Sequence, residues 1–252
     1  MAFSLDHVVI AVADLEAAVA GYRALGFTVY PGGVHHGGVS HNALVIFADG
    51  SYFELIAYRE PAPEVRWWHV LSRAGEGLVD FALLPESIER DLAAARGRGL
   101  DLNGPTAGGR LRPDGARLDW QVVRPKTTDL PFWCGDVTPR TLRVPEGDMR
   151  THANGVTGIA SVKVAVSDVA KSAARYAALA GPEAVREVNG GASVAIGTTP
   201  FELADDAAAR THVTRRGEGP MSLVLRGPTA KALDLKQTHG ADLSIAVHHV
   251  RD

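Results

Sequence analysis

The chain has 252 residues, of which 46% are hydrophobic and 22% are charged, and its formal net charge is −3 at pH 7. This composition is typical of a soluble globular protein without a basic excess, so we expect neither nucleic acid nor a membrane as a partner. The single cysteine, Cys134, excludes an intrachain disulfide framework, and the N-terminus lacks the pattern of a secretory signal, so we expect a cytoplasmic location.

The N-terminal residues predict a strand followed by a helix and a second strand. Residues 5–12 (LDHVVIAV) are apolar on both faces, as a buried strand requires, and include His7. Asp14 is placed to cap a helix whose apolar residues recur at helical spacing, and Gly26 is placed to end it. Residues 27–30 then return to a strand pattern.

Residues 41–48 and 51–58 predict a β-hairpin, because both are apolar, β-branched and aromatic and are joined by Asp49-Gly50. Alternation along the second strand places Glu54 on one face with large apolar side chains. Most strand glutamates face solvent, but a carboxylate buried among apolar groups requires a partner, so Glu54 is also a candidate site residue. Together these elements form a βαβββ module.

The module recurs along the chain. Residues 78–100 repeat the strand, cap, helix and glycine of the first copy, and in this register Asp80 corresponds to His7. Further strands are predicted at 117–124 and 131–135.

In the last strand of this second copy Trp133 stands at the place of Glu54. The register there is open by one residue, so Cys134 is the alternative.

The second half of the chain contains a third copy and part of a fourth. Residues 159–181 and 192–204 repeat the first strand, helix and hairpin, but Ser161 replaces His7. Residues 221–240 predict a fourth strand and a helix capped by Thr229, after which the chain is too short for a closing hairpin. We interpret these copies as degenerate at the site, and Glu202, the counterpart of Glu54, as standing alone.

Two domains are expected, at residues 1–145 and 146–252, because residues 135–155 are polar, contain proline and lack a pattern. The truncated fourth copy should leave an exposed strand edge, which a partner chain would cover, so we expect a homodimer. His248 and His249 are interpreted as part of a frayed tail rather than as a metal-binding tract.

The repeated modules, the opening residues 5–27 and the segment GGVHHGGVSHNALVIF before Glu54 resemble the glyoxalase-like domain family of the vicinal oxygen chelate superfamily, which also includes bleomycin-resistance proteins and extradiol dioxygenases. The resemblance implies an α+β fold in which βαβββ modules pair into open β cups, here three complete modules and a truncated fourth. It also implies a metal site formed by His7, Glu54 and Asp80, suited to Zn, Fe, Mn or Ni.

Residues around that cup are further candidates. Glu54 and His36 are the predicted catalytic residues, with His41 as the alternative general acid or base, since a histidine can shuttle protons near neutral pH. The residues predicted to bind substrate are Asn42, His41, Trp120 and Trp133.

Three functions remain open from the sequence. The first is an enzyme with metal-assisted lyase or isomerase chemistry on a small molecule that carries vicinal oxygens. The second is a metal-free protein that binds or sequesters a small molecule in a cup lined by Trp67, Trp68, Trp120 and Trp133. The third is a structural or assembly role.

Overall fold

The computed structural model describes residues 3–247. Two modules make up the first half. The first module consists of strands and one helix in the order β1 (Phe3–Ala11), α1 (Leu15–Ala24), β2 (Tyr30–His35), β3 (Ser40–Ile46) and β4 (Tyr52–Tyr58). The second consists of β5 (Gly77–Pro85), α3 (Ile88–Gly97), β6 (Leu102–Leu111), β7 (Arg117–Pro125) and β8 (Phe132–Asp136), and α2 (Arg66–Ala74) connects the two.

The second half begins after a short helix, α4 (Arg140–Arg143), and a 3₁₀ turn (Gly147–Arg150). Its elements are β9 (Gly158–Ala165), α5 (Val169–Ala180), β10 (Val185–Val188), β11 (Gly191–Ile196), β12 (Thr199–Ala204), α6 (Ala207–Arg216), β13 (Gly219–Gly227), β14 (Lys231–Ala232) and β15 (Leu243–Val247). The α+β fold of repeated βαβββ modules, with three complete copies and a reduced fourth, is therefore confirmed.

Local signals explain where the first elements begin and end. The Asp14 carboxylate accepts hydrogen bonds from the backbone N–H groups of Glu16 and Ala17 and so caps α1, as predicted. Gly50 has a φ of 81° in the turn between β3 and β4, a conformation that favours glycine. The hairpin register pairs Leu44 with Glu54 and confirms the predicted strands.

The two modules of the first half form an eight-stranded barrel with the strand order β1-β4-β3-β2-β6-β7-β8-β5. Strand β1 lies between β4, to which it is parallel, and β5, to which it is antiparallel. Within residues 3–247 the second half forms a seven-stranded sheet with the order β10-β11-β12-β9-β13-β15-β14. Both halves thus place the first strands of paired modules side by side.

A continuous hydrophobic core joins the barrel to this sheet. Val8 and Ile10 of β1 and Phe81 of β5 belong to the same buried cluster as Phe201 of β12. The rings of Phe81 and Phe201 are 5.2 Å apart and nearly perpendicular, a favourable aromatic geometry. The second half therefore covers the outer face of the barrel, and the predicted boundary at residue 145 stays a prediction.

The predicted helix of the fourth module does not form. Residues 229–240 contain the two-residue strand β14 and a turn instead. Tertiary contacts override the helical pattern here, because the Tyr22 hydroxyl donates to the Thr238 carbonyl and the Leu233 N–H donates to the Leu243 carbonyl. Helix α6, which is not among the predicted elements, lies between β12 and β13.

Two remaining expectations concern the edge of the sheet and the membrane. Strand β14 forms the edge beside β15 but covers it with only two residues, so the predicted homodimer stays a prediction.

None of the helices within residues 3–247 has the length and apolar character that crossing a membrane requires. His248 and His249 lie outside the described residues.

Candidate functional site

The interior of the barrel contains a cavity of about 410 Å³ that is open to solvent. Side chains from both modules line it, because alternate residues of every strand point inward. Its polar wall consists of His7, His35, Asn42, Glu54, Arg110 and Arg143, and its apolar wall consists of Ile56, Trp67, Trp120, Val122 and Phe132.

Glu54 lies at the centre of the polar wall. Its side chain is buried, and one carboxylate oxygen, Oε1, accepts a hydrogen bond of 2.7 Å from Asn42 Nδ2 and lies 3.2 Å from His35 Nε2. The other oxygen, Oε2, lies 3.5 Å from His7 Nε2. The buried carboxylate therefore has the partners that its desolvation requires.

These partners determine the charge of Glu54. Burial by itself would raise the pKa of the carboxyl, but the hydrogen bond and positive charge of His35, the charge of His7 and the Asn42 amide lower that pKa to about 2. Glu54 is thus a carboxylate throughout the physiological pH range.

His7 is oriented from behind by Asp6. Its Nδ1 lies 2.7 Å from Asp6 Oδ2, while its ring stacks on Tyr52 with centroids 4.7 Å apart. Burial would raise the pKa of Asp6, but Arg143 and Arg140 hold it well below its usual range. Because ionised Asp6 can only accept, His7 Nδ1 donates to it, and the other ring nitrogen, Nε2, faces Glu54 Oε2 across 3.5 Å on the cavity side.

The Asn42 amide forms hydrogen bonds with both the Glu54 carboxylate and the Arg110 guanidinium. Its Nδ2 donates to Glu54, and its Oδ1 accepts a hydrogen bond of 3.2 Å from Arg110 Nη1, which fixes the orientation of the amide. Gly32 lies directly behind it, and any Cβ at that position would collide with Asn42 Oδ1. A glycine is therefore required where β2 passes the site.

The apolar wall is aromatic and carries a cation at its rim. The guanidinium of Arg124 lies 4.8 Å from the ring centre of Phe132 and 5.3 Å from that of Trp67, within the range of cation–π attraction. Trp120 lies against Gly108, where a side chain would collide with the indole. This wall suits a flat apolar group.

Six of the residues predicted from the sequence to form or line the site do line the cavity. They are His7, His36, Asn42, Glu54, Trp67 and Trp120. His36 is exposed at the mouth of the cavity, while His7, Asn42 and Glu54 are buried together. The structure brings these three side chains into one cluster, and their chemical roles stay predictions.

His41 is not among the residues that line the cavity. It stands between Ser40 and Asn42, which both line it, so strand alternation points the His41 side chain the other way. Its prediction as a substrate-binding residue does not fit this position. Burial and the charge of Arg59 lower the pKa of His41.

Asp80 is also outside the cavity. It is the repeat counterpart of His7, but its carboxylate accepts hydrogen bonds from the Arg66 guanidinium and from Trp67 Nε1, both on α2. An arginine-paired carboxylate of this kind is already satisfied, so the predicted set of His7, Glu54 and Asp80 does not assemble. Across residues 3–247 no group of three His, Cys, Asp or Glu side chains is arranged to hold a metal ion.

Trp133 corrects the predicted register of β8. Its side chain is fully buried in the core outside the barrel, where its ring lies 4.8 Å from that of Phe3. Its neighbours Phe132 and Cys134 line the cavity instead. The predicted substrate-binding role of Trp133 is therefore excluded by its position, and the alternative residue Cys134 does face inward.

The counterpart of Glu54 in the second module is Phe132. Val9, two residues after His7, pairs with Glu54, and Ala82, two residues after Asp80, pairs with Phe132. On their other sides Val9 pairs with Asp80 and Ala82 pairs with His7. Because Asp80 is the counterpart of His7, Phe132 is the counterpart of Glu54. The apolar ring of Phe132 thus occupies the position in the second module that corresponds to the predicted ligand Glu54.

The predicted ligand positions do not by themselves complete a divalent metal site. His7 Nε2 and Glu54 Oε2 are 3.5 Å apart and could share an ion, but Asp80 is bound to Arg66 and Phe132 offers no donor atom. Zinc sites in proteins use at least three protein ligands. The metal prediction of Zn, Fe, Mn or Ni is therefore supported by two ligand positions only.

Sequence reasoning missed four residues of the polar wall and its support: Asp6, His35, Arg110 and Arg143. His35 is visible beside His36 in the glycine-rich segment, and Asp6 beside His7. Arg143 comes from α4, in the segment predicted to be a linker, and no sequence pattern indicates that its side chain enters the base of the barrel. It is buried there against Asp6 and Asp136.

Comparisons with known proteins agree with this architecture. The sequence signature of the glyoxalase-like domain matches residues 5–180. A hypothetical protein from Staphylococcus aureus has a similar fold, with a TM-score of 0.76 at 13% identity, and the match covers 98% of this chain and 100% of that one. A mutant of 4-hydroxymandelate synthase from Streptomyces coelicolor matches with a TM-score of 0.60 at 14% identity, over 89% of this chain and 71% of that one.

No curated protein sequence matches this chain. At these identities the solved structures show the fold alone, while the signature covers most of the length of the chain and both modules of the barrel. The chain therefore belongs to the glyoxalase-like domain family.

Proposed function

We propose that the barrel is the active site of an enzyme that moves a proton on a small molecule with adjacent oxygen functions, in lyase or isomerase chemistry. The observation that carries this proposal is the buried arrangement of Asp6, His7 and Glu54. A histidine held by a carboxylate at Nδ1, with Nε2 aimed into a cavity, is the arrangement of a general base.

The chemistry follows from the positions of these groups. His7 Nε2 accepts a proton from a carbon beside a carbonyl group, the electron pair of the broken C–H bond moves to the carbonyl oxygen, and His7 becomes an imidazolium. The Glu54 carboxylate, 3.5 Å from Nε2, stabilises that positive charge. Return of the proton to a different carbon gives an isomer, and departure of a neighbouring group gives a lyase reaction.

Glu54 suits an electrostatic role better than the role of the base. Its pKa of about 2 makes the carboxylate a weak proton acceptor. The predicted catalytic role of Glu54 is thus kept in this proposal, but the proton goes to His7.

The test is isotope exchange in D₂O. Purified protein is incubated with 2-hydroxyacetophenone and with 2-oxo-4-phenylbutanoate, and loss of the signal of the exchangeable C–H group is followed by proton NMR. We expect exchange above the buffer rate with at least one compound, and its loss in His7→Asn. Exchange that is equally fast in His7→Asn would contradict the proposal.

Metal content is measured on the same protein by elemental analysis. Stoichiometric metal that is lost in both His7→Asn and Glu54→Gln would show that the two ligands are completed by other groups and would favour metal-assisted chemistry. Protein that shows exchange without stoichiometric metal would favour proton transfer by His7 alone.

A metal-free binding or sequestration protein is the second candidate. The observation that favours it is the aromatic wall of Trp67, Trp120 and Phe132, with Phe132 at a position expected to hold a ligand atom. Tight binding of a flat compound without exchange or turnover would support this function over the first.

A further inference from the structure

Arg110 is a buried cation without a carboxylate partner. Its residue exposure is 4%, and within residues 3–247 it forms no ion pair. Its two hydrogen bonds go to neutral oxygens, from Nη1 to Asn42 Oδ1 and from Nη2 to the Arg143 carbonyl. Its Nε is buried and has no hydrogen-bond partner.

This environment is costly for the guanidinium. Burial lowers the pKa of Arg110, although an arginine in a protein remains protonated. The nearby Arg143 shows the usual solution, because it is equally buried but binds the carboxylates of Asp6 and Asp136. A buried charge is normally paired, so Arg110 lacks an anion that the chain itself does not supply.

Two carboxylates line the cavity, and within residues 3–247 neither forms an ion pair with Arg110: Glu64 is exposed to solvent, and Glu54 is committed elsewhere. Glu54 is bound by Asn42 and lies beside His7 and His35, and the Asn42 amide separates it from Arg110. Arg110 lines the cavity from β6, and Trp120 lines it from the adjacent strand β7, where it pairs with Gly108. An anion carried by a ligand in this cavity would supply the missing partner.

We infer that the ligand of this cavity is an organic carboxylate with a flat apolar body, whose anionic group pairs with Arg110 while its body lies against Trp120 and Phe132. The geometry of a carboxylate fits the N–H groups of a guanidinium, and aromatic walls fit a planar body. Arg124, stacked on Phe132 and Trp67 at the rim, adds a second positive charge along the way in. This inference rests on the proposed function only in placing the ligand inside the barrel.

A pair of compounds that differ only in charge tests the inference. Binding of 2-naphthoate and of its neutral analogue 2-naphthamide to the full chain is measured by isothermal titration calorimetry. We expect 2-naphthoate to bind about ten-fold more tightly, which is the scale of one charge-assisted hydrogen bond. In Arg110→Gln the two compounds should bind equally, and Arg110→Lys should restore part of the preference.

Arg90→Gln is the matched control, because Arg90 is exposed and pairs with Glu86 on the surface. It should keep the preference for 2-naphthoate. Circular dichroism checks that each variant folds; if Arg110→Gln does not fold, the comparison of wild type with Arg110→Lys decides the question.

Several results would overturn the inference. They are equal binding of the two compounds to the wild type, binding of neither, a preference that persists in Arg110→Gln, and tighter binding of inorganic phosphate than of 2-naphthoate. The proposed function is separable, since His7→Asn should lose isotope exchange while it keeps the preference. A wild type that prefers 2-naphthoate but shows no exchange leaves this inference standing and refutes the proton-transfer function.

Discussion

His7 and Glu54 face each other inside the barrel, with His7 Nε2 only 3.5 Å from Glu54 Oε2. They come from the neighbouring parallel strands β1 and β4, and Val9, two residues after His7, pairs directly with Glu54. Asp6 fixes the far side of the imidazole, and Asn42 and His35 fix the carboxylate. This relationship is the basis of the proposed proton transfer.

Asp6→Asn should damage both stability and the site. The carboxylate is fully buried and binds Arg140 and Arg143 as well as His7, so its removal leaves buried positive charge without compensation. We expect a loss of about 3–5 kcal/mol in the free energy of unfolding, measured by urea titration. Asp119→Asn is the control, because Asp119 pairs with Arg117 at the surface, and its effect should stay below about 1 kcal/mol. Equal effects of the two changes would contradict the structural role of Asp6.

Glu54→Gln should change the pH dependence of stability. The pKa of Glu54 falls from its ordinary value of 4.5 to about 2 on folding, so the ionised side chain stabilises the native state at pH values above about 4.5. This stabilisation, on the order of 3 kcal/mol, should decrease as the pH falls toward 2.

The measurement is the difference in unfolding free energy between wild type and Glu54→Gln at several pH values from 3 to 6. We expect the advantage of the wild type to be largest and constant above pH 5 and to shrink toward pH 3. An advantage that grows as the pH falls would mean that the pKa of Glu54 is raised in the folded protein.

The residues of the site that can be predicted are those on strands with strong local signals. His7 lies in a strand that a helix cap closely follows, and Glu54 and Asn42 lie in a hairpin whose register is set by Asp49-Gly50, so strand alternation is enough to place them. The repeat likewise identifies Asp80 as the counterpart of His7.

The errors in the predicted site residues have two causes: long-range contacts, and a strand in which buried and exposed residues do not alternate. Residues Phe132 to Cys134 are buried on both faces of β8, so polarity cannot tell which of them faces inward. Asp80 is wrongly predicted to be a metal ligand because nothing local shows that Arg66 and Trp67 of α2 bind its carboxylate. Tertiary packing decides both cases.

Glu202→Gln should have almost no effect on ligand binding or isotope exchange. Glu202 is the counterpart of Glu54, but its side chain is exposed and Ser161 stands where a histidine would be needed. The comparison is with Glu54→Gln, which alters the polar wall of the barrel. A loss of function in Glu202→Gln as large as that in Glu54→Gln would indicate a second site in the sheet of β9–β15.

Self-association is expected from the edge of that same sheet. Strand β15 is covered by only the two residues of β14, and protein edges of this kind are normally paired or protected. Sedimentation velocity at micromolar concentration should show a dimer. Purely monomeric protein would show that the short β14 is sufficient protection.

Neighbouring alanine substitutions in β8 should have opposite consequences. Trp133 is fully buried in the core and its ring packs on Phe3, so Trp133→Ala should lower the free energy of unfolding by about 3–5 kcal/mol without changing the affinity of the remaining folded protein for 2-naphthoate. Phe132 lines the cavity and its ring contacts His7 edge-on, so Phe132→Ala should weaken 2-naphthoate binding and cost less stability, because the site is already open on one side. Urea titration and calorimetry on both variants give the two quantities. If Trp133→Ala were the change that weakened binding, the inward face of β8 would be the one that the repeat first suggested, and Phe132 could not be the counterpart of Glu54.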